Sequence, residues 1–178
     1  MEASKDSGTL KQVSAKEFIK DIYDQGRRDF SGTHLRGVDL RDVCMYGVNL
    51  ENADLQNANL KGADFGHASF RGADLRGARL EGANFAGADF ENANLQGADL
   101  IRARLEGANF AGADLKGAKL MSTDFGDANL IGAKGLEGAE YIGDAIFENT
   151  HVTEEQQAII TVAWTQGKFD VTNITLRK

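Results

Sequence analysis

The sequence predicts an all-β solenoid, square in section, of about five coils, with an α-helical cap at each end. Three observations predict it. A large apolar residue recurs every five positions from Phe30 to Leu130, 21 times without a break, and each is Leu, Phe or Met. The residue two before this centre is Ala in 15 of the 21 repeats, and the residue two after it is Gly in 13. Sorted by position modulo 20, the centres separate by type: Leu35, Leu55, Leu75, Leu95 and Leu115 form one class, Leu40, Leu60, Leu80, Leu100 and Leu120 the next. All seven phenylalanines of the series fall in the other two classes.

Period five suits neither a helix, which needs 3.6, nor a long strand, which needs two. On a helix such a series drifts by about 140° per step and forms no apolar face. A very short extended piece followed by a corner does fit. Alternation within the piece sends the centre and the Ala two before it to one side. The residues just before and just after the centre point the other way, so Asp, Asn and the varied residues face water. Glycine stands where a corner needs positive φ. Segregation of the centres at a spacing of 20 predicts four pieces per coil, with two leucine ladders and two phenylalanine-rich ones. The near-duplicate RLEGANFAGAD, at 79–89 and again at 104–114, is offset by 25 residues.

In chain order, residues 1–12 are polar and expected to be disordered. Residues 13–27 form a cap: Ser14 and Glu17 make a capping-box pattern, Phe18, Ile19, Ile22 and Tyr23 follow at helix spacing, and Gly26 ends it. The helix is read over 15–25, lying on the first coil. Residues 28–133 are the solenoid. Beyond Gly132 the register slips, with Leu136 and Tyr141 one residue late and Phe147 later still. Residues 134–178 are read as an irregular last coil, a helix over 154–166 and a tail. That helix opens on a second capping box, Thr153 with Gln156, followed by Ile159, Ile160, Val162, Ala163 and Trp164. Covered ends are expected because an open solenoid exposes unpaired backbone.

The unit A-(D/N)-(L/F)-x-G resembles the pentapeptide-repeat family, over about 105 residues from Arg28 to Gly132. The resemblance implies a right-handed quadrilateral β-helix. The first repeats depart from the motif, with Arg28, Thr33, Val38, Val43 and Val48 at the alanine slot.

Composition narrows the function. One cysteine, Cys44, excludes an intrachain disulfide and a cysteine-based zinc site. No stretch approaches 18 apolar residues, so no membrane span is expected, and the polar N-terminus points to the cytoplasm. A net charge of -7 argues against direct nucleic-acid binding. His34, His67 and His151 are isolated, and His34 and Cys44, ten residues apart, fall on opposite faces of a four-sided coil. Glycines five apart mimic the start of a phosphate loop, but no Lys-Ser/Thr follows. No catalytic, cofactor-binding or metal site is expected, and the chain is read as a non-enzymatic rigid β-helical scaffold, a protein–protein interaction module with an unidentified protein partner or a structural module with no dedicated ligand.

The family resemblance also raises DNA mimicry, since quinolone-resistance members imitate duplex DNA and inhibit DNA gyrase. Here residues 28–132 carry 15 acidic and 11 basic side chains, interleaved. That neutralisation makes mimicry the alternative rather than the main reading.

One surface stands out. The residue after the centre runs Arg41, Lys61, Glu81, then Ile101, then Met121 along one face. Ile101 and Met121 are expected to stack in successive coils, with Asp99 and Lys119 at their rim and Ile131 extending the patch. Cover is expected from the tail, 167–178, or from a partner, with the chain either a monomer or a homodimer through its C-terminal end.

Overall fold

The computed structural model describes residues 26–167 and 175–176. The N-terminal tail and the cap helix read over 15–25 lie outside the described residues.

Single parallel bridges join each extended piece to the piece 20 residues later, from Asp29 with Asn49 through Asp114 with Lys134. One coil is therefore 20 residues in four pieces, and the bridges form four ladders. The first runs from Asp29 through Asn49, Ser69, Asp89, Asn109 and Asn129 to His151. The second starts at His34 and Asp54, the third at Asp39 and Asn59, and the fourth at Cys44 and Asp64. Successive coils lie about 4.8 Å apart.

The pentapeptide from Ala73 to Gly77 shows why the unit has five residues, because each of its N–H groups has an acceptor. Ala73 N–H donates to Phe70 O at 3.0 Å, closing a four-residue turn. Asp74 N–H donates down to Ala53 O at 3.0 Å, and Leu75 N–H up to Asn94 O at 2.8 Å. Gly77 N–H donates up to Gln96 O at 2.9 Å. The remaining donor, Arg76 N–H, is taken by Asp74 Oδ1 at 3.2 Å. This is the role of the Asp or Asn before each centre. Beyond the first coil, from Asn49 onward, these Asp and Asn side chains are half-buried rather than turned freely to water. Several also join coil to coil: Asn84 Nδ2 donates to Asp64 Oδ1 at 2.9 Å, and Asn109 Nδ2 to Asp89 Oδ1 at 3.0 Å.

Positive φ falls on the second residue after the centre at every corner, as at Gly72 (63°), and the residue before it stays negative, which defines type II turns. Where that corner residue is not glycine, its side chain leans over the coil that follows. Asn52, Asn57, His67 and Asn92 each lie where a Cβ on Gly72, Gly77, Gly87 or Gly112 would stand.

The interior is filled. Leu75, Leu95, Phe70, Phe90, Ala73 and Ala93 are each at most 1% exposed. Phenylalanines stack within a ladder, as Phe70 on Phe90 (4.9 Å, 5°) and Phe90 on Phe110 (4.8 Å, 13°). Across the corner they meet edge to face, as Phe65 with Phe70 at 5.3 Å and 64°. The valine slots are accepted too: Val38 and Val48 are buried and Val43 partly so.

Bridges continue past the last regular repeat with the slip the sequence shows. Lys119 pairs with Glu140, Asp124 with Ile146, and Asn129 with His151. Two 3-10 turns, Leu136–Gly138 and Ile142–Asp144, absorb the extra residues. Gly135 precedes the first at φ 76°, where a Cβ would strike the backbone of Lys116. Leu136 and Phe147 are buried as read, but Tyr141 is not a centre. It sits at φ 59° and 50% exposed, and Ile142 fills the interior.

Strand β1 (His151–Val152) leads into helix α1 (Glu154–Gly167). The capping box is reciprocal: Gln156 N–H donates to Thr153 Oγ1 at 3.2 Å, and Thr153 N–H to Gln156 Oε1 at 2.9 Å. Gln156 Nε2 also donates to Leu130 O (2.7 Å) and Ala133 O (3.0 Å), two carbonyls of the last regular coil. Ile160 of α1 is wholly buried. Strand β2 (Thr175–Leu176) pairs parallel with β1, so His151 faces Thr175 and Val152 faces Leu176. No helix among the described residues is long and apolar enough to cross a membrane.

Candidate interaction surface

Outward side chains fall in columns set by the coil. On the third face one column follows the ladder, Asp39, Asn59, Arg79, Asp99, Lys119 and Glu140. The second holds the residue after each centre: Arg41, Lys61, Glu81, Ile101 and Met121. Ile101 and Met121 are stacked neighbours, since Arg102 N–H, in the corner of Ile101, donates to Met121 O at 2.9 Å. Met121 is 36% exposed and Ile101 half-buried. Asp99 and Lys119 are bridged to one another and stand beside the two apolar side chains. Asp99 Oδ1 accepts Ile101 N–H at 3.2 Å, holding that corner.

Ile131 does not extend this patch. It follows Asn129 on the first ladder, two faces round from Lys119, and so lies across the rod although it is 37% exposed. Nor does the described part of the tail cover the patch. Thr175–Leu176 continue the first ladder beyond His151, on the face opposite the third. What periodicity missed is Tyr141 and Ile146, 50% and 48% exposed, in the coil that follows Met121. The slipped register hid them, because a hydrophobe one residue late reads as core.

Elsewhere the surface is held by ion pairs between coils and across corners. Arg36 reaches Asp54 (3.2 Å), Lys61 reaches Glu81 (2.7 Å), and Arg71 reaches both Asp89 (3.1 Å) and Glu91. Arg76 meets Asp74 at 2.6 Å and Arg41 meets Asp39 at 2.7 Å. The Arg76 guanidinium, by hydrogen bonding, holds the Asp74 carboxyl below the usual aspartate value. Lys61 does the same for Glu81, assisted by the charges of Arg102 and Arg79. These shifts come from surface neighbours, not from a catalytic pocket.

His34 and Cys44 stand on the second and fourth ladders, facing away from each other. Among the described residues no three His, Cys, Asp or Glu side chains gather closely enough to hold a metal. A shallow groove of about 440 Å³ lies between α1 and the 3-10 turns, lined by Leu136, Ile142, Ile159 and Val162. Among the described residues that line it, Glu137 is the ionisable one.

Two models of pentapeptide repeats match the sequence, one at residues 30–75 and one at 58–97 and 98–134. No curated protein matches it. Among solved structures, HetL, a pentapeptide repeat protein involved in heterocyst differentiation regulation in the cyanobacterium Nostoc sp. strain PCC 7120, is 29% identical with TM-score 0.49. The match covers 79% of this chain and 60% of HetL, so the chain spans less than two thirds of that relative. A pentapeptide repeat protein of the Arabidopsis thaliana thylakoid lumen is 24% identical, covered at 90% and 86%, with TM-score 0.45. QnrB1, a plasmid-mediated fluoroquinolone resistance protein, is 20% identical, covered at 84% and 77%, with TM-score 0.40. Repeat after repeat from 30 to 134 fits the models, and the chain belongs to the pentapeptide-repeat family.

Proposed function

We propose that this chain is a non-enzymatic, right-handed quadrilateral β-helix that serves as a rigid scaffold for protein–protein contact in the cytoplasm. One observation carries the reading. The interior from Phe30 to Leu130 is closed by Leu, Phe, Met, Val and Ala side chains, with Thr123 satisfied by Leu100 O, leaving recognition to the surface columns. A rod of stacked coils presents those columns at fixed spacing, which is how solenoids display binding surfaces. The third face, where Ile101 and Met121 interrupt a charged column, is the proposed contact surface.

Affinity capture from the native cell extract, wild type against Ile101→Lys with Met121→Lys, tests this. The scaffold reading expects a protein, either another species or this chain itself, that the wild type retains and the variant loses. An identical set on both would remove the third face from the proposal. Imitation of DNA is disfavoured by the ion pairs of Arg36, Lys61, Arg71 and Arg76, which cancel carboxylates along the rod. No inhibition of DNA gyrase supercoiling is therefore expected at micromolar protein. Strong, salt-sensitive inhibition would replace the scaffold reading.

A further inference from the structure

The ladder column of the third face alternates in sign over four coils: Arg79, Asp99, Lys119, Glu140. Beside it, Ile101 and Met121 occupy the two middle coils. The fourth ladder alternates in the same two coils, with Arg104 bridged to Asp124. The four charges of the first and the two of the second are antisymmetric about one level, midway between the coils of Ile101 and Met121. A face of that kind fits a second copy of itself.

Two identical rods closed by a two-fold axis match each residue with its mirror level when they run antiparallel. An axis through the coil of Met121 sets Lys119 against Lys119 and Asp99 against Glu140. An axis through the coil of Ile101 sets Asp99 against Asp99. Both registers put like charges face to face and are rejected. An axis one half-coil level lower sets Glu81 against Ile101 and Lys61 against Met121, burying charge on apolar side chains. A parallel pair sets one column against the other, Lys119 against Met121. Midway between the two coils, the charged matches of the ladder column are all favourable. Asp99 meets Lys119 of the second copy, Arg79 meets its Glu140, and Ile101 meets its Met121. Arg104 and Asp124 match at the rim.

We propose that two copies of this chain associate side by side and antiparallel through the third face, in this register. The inference deepens the scaffold reading by naming one partner, and it rests on that reading for the premise that the third face is the working surface. The described tail residues are no competitor, because Thr175–Leu176 pair on the opposite face. The matched strip is only four coils long, so a weak, concentration-dependent dimer is expected.

Sedimentation equilibrium of the full chain over rising concentration is the test. Wild type should pass from monomer to dimer. Lys119→Asp alone, or Asp99→Lys alone, places two like-charge pairs in each dimer and should weaken it roughly tenfold or more. The two together restore opposite charges and should recover wild-type association within about threefold. Basic side chains already stand in this column at Arg79 and Lys119, so lysine at 99 is accommodated although it gives up the Asp99 bond to Ile101 N–H, and circular dichroism checks each variant. In a Cys44→Ser background, chains carrying Ile101→Cys mixed with chains carrying Met121→Cys should form disulfide-linked pairs more readily than either alone. The proposal is overturned by a wild type that stays monomeric to the order of 1 mM, by single reversals without effect, by a double reversal that does not recover, or by no preference for the mixed disulfide. A monomer that still captures a different protein through this face would remove the dimer and leave the scaffold standing.

Discussion

Leu95 is wholly buried between Leu75 and Leu115, whereas Gln96 beside it donates from Nε2 to Asp114 Oδ2 at 2.7 Å. Leu95→Asp places a carboxylate where no partner exists, and a loss of roughly 4 kcal/mol or more is expected, enough to unfold the chain. Gln96→Asp loses one hydrogen bond and faces Asp114, so about 1 kcal/mol is expected. Urea titration of both separates the sides; equal losses would show that inside and outside have been misassigned. Asp74 gives a pH prediction. Its folded carboxyl is held below the ordinary value, so the stability it brings is complete above the unfolded aspartate range. It is lost as pH falls through the lowered value. Arg76→Ala should therefore narrow the gap between the two proteins as pH drops. The pair is partly exposed, so the gap near neutrality should stay under about 1 kcal/mol. Thermal melts across pH check it, and a gap that widens in acid would refute the assignment. At this scale alternation told the direction of Asp74 but not its task. The N–H of Arg76 lacks a backbone acceptor only once the coil has formed, so its need for Asp74 Oδ1 is invisible in a linear pattern.

Helix α1 depends on a glutamine that works in two places. Locally Gln156 completes the box with Thr153, and at long range its Nε2 serves the carbonyls of Leu130 and Ala133. Thr153→Ala should cost about 1 kcal/mol, the usual price of a lost N-cap. Gln156→Ala should cost about 2–3 kcal/mol, because two carbonyls also lose a buried donor. Equal costs in a denaturation series would show that Gln156 acts only within its helix. The box was legible because its two partners lie three residues apart in sequence. The contact with Leu130 was not, since nothing local ties residue 156 to residue 130. The turns at 136–138 and 142–144 were half legible: the slip shows in the spacing, but Tyr141 and Ile142 are equally good apolar candidates. Only the left-handed backbone at Tyr141 turns it outward.

Across the described coils, the backbone bonds that leave a coil run to the coils above and below it, so stability is carried by nearest neighbours. Amide exchange should be slowest in the middle, around Leu75 and Phe90, and faster towards the coils of Phe30 and Phe147. A single uniform protection across all coils would mean that the rod opens as one unit instead. The square section was legible from the sorting of Leu and Phe at a spacing of 20, because each ladder selects its own packing. That Ile101 and Met121 share a face with Asp99 and Lys119 follows from the same spacing, whereas Ile131, ten residues on from Met121, falls two faces round.

With 20 residues divided among four faces, length in this chain is also angle. Five residues gained or lost rotate everything beyond them by a quarter turn about the axis, and the interior stays apolar although its leucine and phenylalanine ladders change places beyond the step. The repeated run at 79–89 and 104–114 makes such a step: Arg79 stands on the third ladder and Arg104 on the fourth, one coil on and one face round. A gain of 20 residues would lift a surface motif straight along the rod, whereas a gain of five would swing it to a different compass bearing. Copying and deletion can thus act as a steering wheel for the exterior, re-aiming one half of the molecule against the other at the cost of setting leucine against phenylalanine where the two halves meet.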